Sequence, residues 1–66
     1  PISTDALELL YVINGKLDYI IKEEVINLGT GDLLFFDGSD PHALKNESSE
    51  SVTLLKMYMI KKDSNL

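Results

Sequence analysis

Apolar and polar positions alternate in short runs along most of the chain, and turn-forming residues interrupt them about every eight to ten residues. A period of two fits half-buried strands, and no segment sustains the 3.6-residue period of a helix. The pattern predicts six strands, at about Leu7–Ile13, Lys16–Lys22, Val25–Leu28, Leu33–Phe36, His42–Lys45 and Val52–Ile60. Asn14-Gly15 falls between the first two. An Asn-Gly pair between apolar runs predicts a two-residue hairpin, because both residues tolerate positive φ. Gly29-Thr30-Gly31-Asp32 and Asp37-Gly38-Ser39-Asp40-Pro41 read as turns, Asn46 to Ser51 as a polar loop, and Lys61–Leu66 as a fraying tail. Many short strands at this spacing predict an all-β fold, a small antiparallel sandwich or barrel.

The faces of the strands add a second expectation. In the first strand Leu7, Leu9, Tyr11 and Ile13 share one side, and Glu8, Leu10 and Val12 the other. In the last, Val52, Leu54, Tyr58 and Ile60 alternate with Leu55, Met57 and Met59. A free-standing antiparallel sheet normally keeps one polar face. Two apolar faces predict a core inside the barrel and a further cover outside it. That cover would be a partner chain, so a homodimer is expected, or neighbouring segments of a parent protein. The wholly apolar run Leu33–Phe36 is expected to be covered on both sides, with Phe35 and Phe36 in core positions on opposite faces.

Length and charge narrow the picture. With 66 residues the chain is one domain over 1–66, with its core over 7–60 and the tail over 61–66. A domain of this size buries only about 60% of the surface its unfolded chain exposes, so its stability should be slim. There is no cysteine, which excludes disulfides, thiolate metal sites and a thiol nucleophile. The net charge is −5, from 6 lysines and no arginine against 11 acidic residues. That balance lacks the basic footprint of a nucleic-acid binder. The apolar runs are far too short to span a bilayer, and no signal peptide is visible, so the expected compartment is the cytoplasm and no membrane partner is expected. The chain opens on Pro1 rather than Met. A piece of a longer protein would do so, and so would a chain that has lost its initiator Met.

Two regions together resemble the cupin family. Glu8-Leu-Leu-Tyr-Val-Ile-Asn-Gly15 matches the second half of that family's first motif, a Glu and a Gly with six residues between them. Gly31-Asp-Leu-Leu-Phe-Phe-Asp-Gly-Ser-Asp-Pro-His42-Ala-Leu-Lys-Asn46 matches the second, with Gly31, His42 and Asn46 in register. Asp37 stands where the motif has Pro, and Ser39 where it has Gly. The resemblance covers about Leu7 to Ile60 and implies a cupin-type jelly roll. Gly15, Gly31, Asp32 and Asn46 then read as structural: Gly15 supplies positive φ, Gly31 opens a strand after a tight turn, Asp32 bonds amides in that turn, and Asn46 bonds backbone in the turn that follows it.

Departures from the family bear on the chemistry. Metal-holding cupins carry a His-x-His pair just before the Glu, and here that place is Ile2-Ser3-Thr4. His42 is the only histidine. Of four ligand positions only Glu8 and His42 keep ligand chemistry, and Asp5 fits no motif position. A catalytic zinc wants three protein ligands, and a non-haem iron site wants two His and a carboxylate. No cofactor is therefore expected, and a divalent metal, if one binds, would sit on His42 and Glu8.

The wording from Phe36 to His42 is similar to a subset of cupins fused behind helix-turn-helix domains in bacterial transcriptional regulators. The resemblance implies a small-molecule-sensing and dimerising domain, with DNA contacted only through a separate domain absent from this chain. Glu8, Leu10, Val12, His42 and Lys56 would line the pocket for an effector that the sequence does not name. Blander readings stand beside these. His42 fits a strand histidine bonded to a neighbour, Glu8 an edge glutamate in solvent, and Lys56 a packed stem with its ammonium in water. Tyr11, Tyr19 and Tyr58 fit core or interface positions as well as pocket walls. The competing function is a small metal-dependent enzyme of the isomerase or oxygenase type. A third is a dimerisation module without a ligand, its interior filled by Leu and Phe.

Overall fold

The structure, a computed structural model, describes residues 2–46 and 50–61. Six strands follow in chain order: β1 Ala6–Asn14, β2 Lys16–Ile21, β3 Glu24–Gly29, β4 Leu33–Asp37, β5 His42–Lys45 and β6 Thr53–Ile60. They form two three-stranded antiparallel sheets, ordered β4-β1-β6 and β3-β2-β5. The chain is thus a small all-β antiparallel sandwich, the arrangement a jelly roll takes.

Period-two alternation decides which side chains meet between the sheets. β1 turns Glu8, Leu10 and Val12 inward, and β2 turns Leu17 and Tyr19 toward them. Leu10, Val12, Leu17, Tyr19, Leu28 and Phe36 form the buried cluster, flanked by Ile21, Ile26, Leu34, Val52 and Leu54. Each large apolar side chain buried in this way contributes roughly 1.5–3 kcal/mol.

The Asn14-Gly15 hairpin does not form. β1 pairs with β4 and β6, while β2 pairs with β3 and β5. Gly15 is a corner at which the chain passes from one sheet to the other. Residues that a hairpin would set side by side are stacked face to face, because β1 has apolar neighbours on both of its edges. Gly15 still takes a φ of +111°, and a Cβ there would lie 3.0 Å from Val52 Cγ2 and 3.2 Å from the Ser51 carbonyl. The two-residue hairpin is instead Lys22-Glu23, which joins β2 to β3 with φ of 55° and 142°. Its register puts Leu17 opposite Leu28 and Tyr19 opposite Ile26, so burial of those pairs holds a turn that neither residue favours.

The expectation of two covered faces on β4 also needs correction. Phe36 is buried, but Leu33 and Phe35 on the outward side are more than half exposed, so Phe35 is not core. β4 is an edge strand, and nothing among the described residues lies over its outer face.

The remaining turns are fastened to the sheets. Gly31 has φ of +88°, its amide donates to the Val12 carbonyl at 2.8 Å, and the Val12 amide donates to the Asp32 carbonyl at 2.9 Å. Asp32 Oδ2 accepts from the Gly29 amide at 2.7 Å, and Asn46 Nδ2 donates to the Glu50 carbonyl at 3.2 Å. Lys61, expected to begin a fraying tail, pairs with Asp37 at 2.6 Å. The rest of that tail, 62–66, lies outside the described residues, as does Glu47 of the polar loop. No helix among the described residues is long and apolar enough to cross a membrane.

Candidate functional site

Four elements bring polar groups to one end of the space between the sheets. β1 contributes Glu8, β2 Tyr19, and β6 Lys56 and Tyr58. β5 contributes His42 as its first residue, directly after Pro41, whose fixed φ ends the preceding turn. Glu8 and His42 are 1% and 2% exposed, the two buried charged or polar side chains among the described residues. Burial of this kind is costly unless the groups are paired and hydrogen-bonded.

The pairing is incomplete. His42 Nδ1 lies 2.7 Å from the Asp40 carbonyl, which can only accept, so that nitrogen carries a proton. Nε2 is then directed at Glu8, 3.3 Å from Oε2. Oε2 also accepts from the Thr4 hydroxyl at 2.8 Å. Glu8 Oε1 and His42 Nε2 have no hydrogen-bond partner. Such atoms in a folded core invite an explanation, of which an unfilled ligand position is one.

Rings enclose the histidine. Phe36 meets it edge-on at 4.9 Å between centroids, and Tyr19 lies at 6.0 Å. Lys56 Nζ is 3.7 Å from Glu8 Oε1, beyond hydrogen-bonding distance, and sits over the Tyr19 and Tyr58 rings at 5.7 and 5.6 Å. Partial burial pushes the Lys56 ammonium down, but the Tyr19 and Tyr58 hydroxyls together outweigh it, and its pKa lies above the ordinary lysine value. Lys56 thus remains a cation at the open side of the site. Leu44 and Tyr58 point inward there yet stay about half exposed, so the sheets part at that side.

Of the residues expected to line a pocket, Glu8, His42 and Lys56 stand together, while Leu10 and Val12 on the same side of β1 are wholly buried in the core cluster. Three contributors, Thr4, the Asp40 carbonyl and Gly38, escape the sequence reading, and Tyr19, weighed there as core, interface or pocket wall, joins them. Thr4 bonds Glu8, and its even spacing from Ala6 and Glu8 is the signal that places it on their side of the strand. The Asp40 carbonyl fixes the histidine ring, and Tyr19 separates His42 from Lys56. Gly38 permits the close approach: a Cβ there would fall 2.6 Å from the Ala6 carbonyl and 2.7 Å from Glu8 Oε2, and would collide with the Thr4 hydroxyl. Backbone bonds from Thr4 to Gly38 and from Gly38 to Ala6, at 2.7 and 2.8 Å, and the Ile2–His42 bridge hold this segment over the site. A separate open depression of about 620 Å³ is lined by Ile20, Lys22, Glu23, Pro41, His42 and Ala43. Ile20 and Ala43 face outward, so it lies on the far side of the second sheet from Glu8.

A jelly-roll sandwich with a Glu and a His from its two motif strands facing one another across the interior defines a class of small β-barrel domains. A family model described as the cupin domain matches residues 3–58, and the chain belongs to that family. No curated protein and no solved structure matches the chain.

Many members of this family hold a metal ion in the same place, and the residues here do not fit one. No three His, Cys, Asp or Glu side chains converge among the described residues. The third charged group at the site is a lysine, whose ammonium would repel an ion on Glu8.

Proposed function

We propose that this chain is a small-molecule-sensing and dimerising cupin domain of a bacterial transcriptional regulator that works in the cytoplasm. The observation that carries the reading is the buried Glu8–His42 pair with one unpartnered atom on each residue and Lys56 at its open side. Three unlike polar groups set in an apolar wall are what orients a small ligand in a concave site. Lys56 suits an acidic group at the mouth, and Glu8 Oε1 suits a donor deeper in. Occupancy would favour one arrangement of the domain over another and so reposition DNA-binding domains carried elsewhere in the protein.

Amide shifts in two-dimensional NMR, recorded against a panel of small hydroxy acids and amino acids, test this. At least one saturable binder is expected, with shifts centred on Glu8, Leu10, Val12, His42 and Lys56, and its binding should vanish in Lys56→Met. Saturable shifts centred on the outer depression near Ile20 and Ala43, or none from any compound, would overturn the reading.

The alternative, a small metal-dependent enzyme, would need further ligands from outside the described residues, because Glu8 and His42 alone supply atoms of ligand type at the site. Calorimetric titration with zinc, manganese and ferrous ions separates the two. Stoichiometric binding lost in both Glu8→Gln and His42→Ala would favour the enzyme.

A further inference from the structure

The outward side of the β4-β1-β6 sheet points to a partner. Along these strands the outward positions are Leu7, Leu9, Tyr11 and Ile13 on β1, with Leu33, Phe35 and Asp37 on β4 and Leu55, Met57 and Met59 on β6 opposite them. Leu9 lies between Phe35 and Met57, and Tyr11 between Leu33 and Leu55. Six side chains of this face, Tyr11, Leu33, Phe35, Leu55, Met57 and Met59, are 39% to 61% exposed. At roughly 200 Å² for each large side chain they present on the order of 600 Å² of apolar surface. That matches the largest patch a monomer usually tolerates, and such patches are often functional.

We infer that this face is the contact surface of a homodimer, a second copy of the chain packed against it about a two-fold axis. The inference rests on the dimerising half of the proposed function and assigns it a place. Two observations favour a second copy. The first is charge. Each chain carries −5, so two copies repel unless they meet where neither is charged. The sole charge among the outward strand positions of this face is Asp37, which Lys61 neutralises at 2.6 Å. The other sheet turns Lys16, Asp18 and Lys45 outward and makes a poor contact of that kind. The second is area. Two copies of the six-residue patch bury on the order of 1,200 Å², the lower bound for a stable specific interface, before Leu7, Leu9 and Ile13 are added. Two sheet faces of this type pack about 10 Å apart with their strands within about 30°. The row Phe35–Leu9–Met57 lies at the centre, where binding energy concentrates.

Sedimentation equilibrium of the whole chain between 10 and 500 µM tests the inference, alongside Phe35→Glu, Met57→Glu and Val25→Glu, the last on the other sheet's outer face. All three side chains are about half exposed or more in the monomer, so circular dichroism is expected to show each variant folded. A wild-type dimer is expected. Phe35→Glu and Met57→Glu should each raise its dissociation constant more than about a hundredfold, since each change occurs twice in a symmetric contact, and Val25→Glu should leave it unchanged. A dimer indifferent to Phe35→Glu and Met57→Glu overturns this face while leaving dimerisation standing. A wild-type monomer at 500 µM overturns both. Neither result touches the ligand site, which the NMR titration tests separately.

Discussion

Glu8 and His42 set the terms at the scale of single residues, because removing one leaves the other buried and unmatched. Breaking a buried polar pair from one side typically costs about 3–5 kcal/mol, whereas replacing both members by apolar groups of similar volume is often neutral or stabilising by about 1–4 kcal/mol. Glu8→Met and His42→Phe singly are therefore expected to lower the urea midpoint sharply, and the double variant to recover it or exceed the wild type. A double variant as unstable as the two singles combined would show that the pair serves the fold rather than a ligand. Asp37 offers a second test, on the surface. The Lys61 ammonium, the Ser39 amide and the Ser39 hydroxyl all favour its charged form, and its pKa falls from 3.8 to about 2. A lowered carboxyl pKa stabilises the fold fully above about 3.8, and that contribution is lost as the pH falls through about 2. Carboxyl NMR of Asp37 should give a midpoint near 2 in the wild type and closer to 3.8 in Lys61→Ala. An unchanged midpoint would mean that Ser39 alone holds the charge.

At the scale of elements, the Lys22-Glu23 hairpin is where local preference and tertiary packing disagree. Non-glycine residues at positive φ lose roughly 1–2 kcal/mol each, and Asn-Gly is the pair such a turn favours. Replacing Lys22 by Asn and Glu23 by Gly removes that strain. It also removes the Lys22–Asp40 ion pair, which at 3.6 Å and on the surface is worth less than about 1 kcal/mol. The backbone bond from the Lys22 amide to the Pro41 carbonyl, 2.8 Å, is unaffected. A net gain of about 1 kcal/mol should raise Tm by roughly 4–8 °C in a domain of this size. A lower Tm would mean that the ion pair or the Lys22 stem matters more than the strain.

The same turn marks how far the sequence carries. Strand positions were legible to within two residues because alternation and burial coincide, as at Glu8, Leu10 and Val12. Turn geometry was not. Asn14-Gly15 has the composition of a hairpin and serves as a corner, whereas Lys22-Glu23 has no such composition and forms one. The difference lies in pairing between sheets, which no local window contains. Glu8 and His42 were legible as candidate site residues because they fall on motif positions of the family, and Lys56 because it is a charge among apolar strand residues. Thr4 and Gly38 were not, since their roles depend on two turns meeting over Glu8.

At the scale of the whole molecule, 66 residues leave little stability to share, and the outer face of β4-β1-β6 works against a lone copy. Apolar surface left in water contributes nothing to the fold, whereas the same surface in a dimer stabilises the native state by mass action. Thermal unfolding of the wild type should then depend on concentration. A hundredfold rise in protein concentration corresponds to about 2.7 kcal/mol of linkage, on the order of 10 °C in Tm for two 66-residue chains unfolding together. Phe35→Glu should flatten that dependence while keeping the low-concentration Tm close to the wild-type value, because its side chain faces solvent in the monomer. The Lys22→Asn, Glu23→Gly variant should instead raise Tm at every concentration and keep the slope. A wild-type Tm constant across the range would show that the domain is stable by itself and that its apolar face meets some other partner. The alternation along β1 and β6 gives the dependence a functional edge. Glu8 lies between Leu7 and Leu9, and Lys56 between Leu55 and Met57, so each strand that lines the site also supplies the contact. A shift of either strand is felt on both sides of the sheet, and that arrangement can couple occupancy of the site to association of two copies.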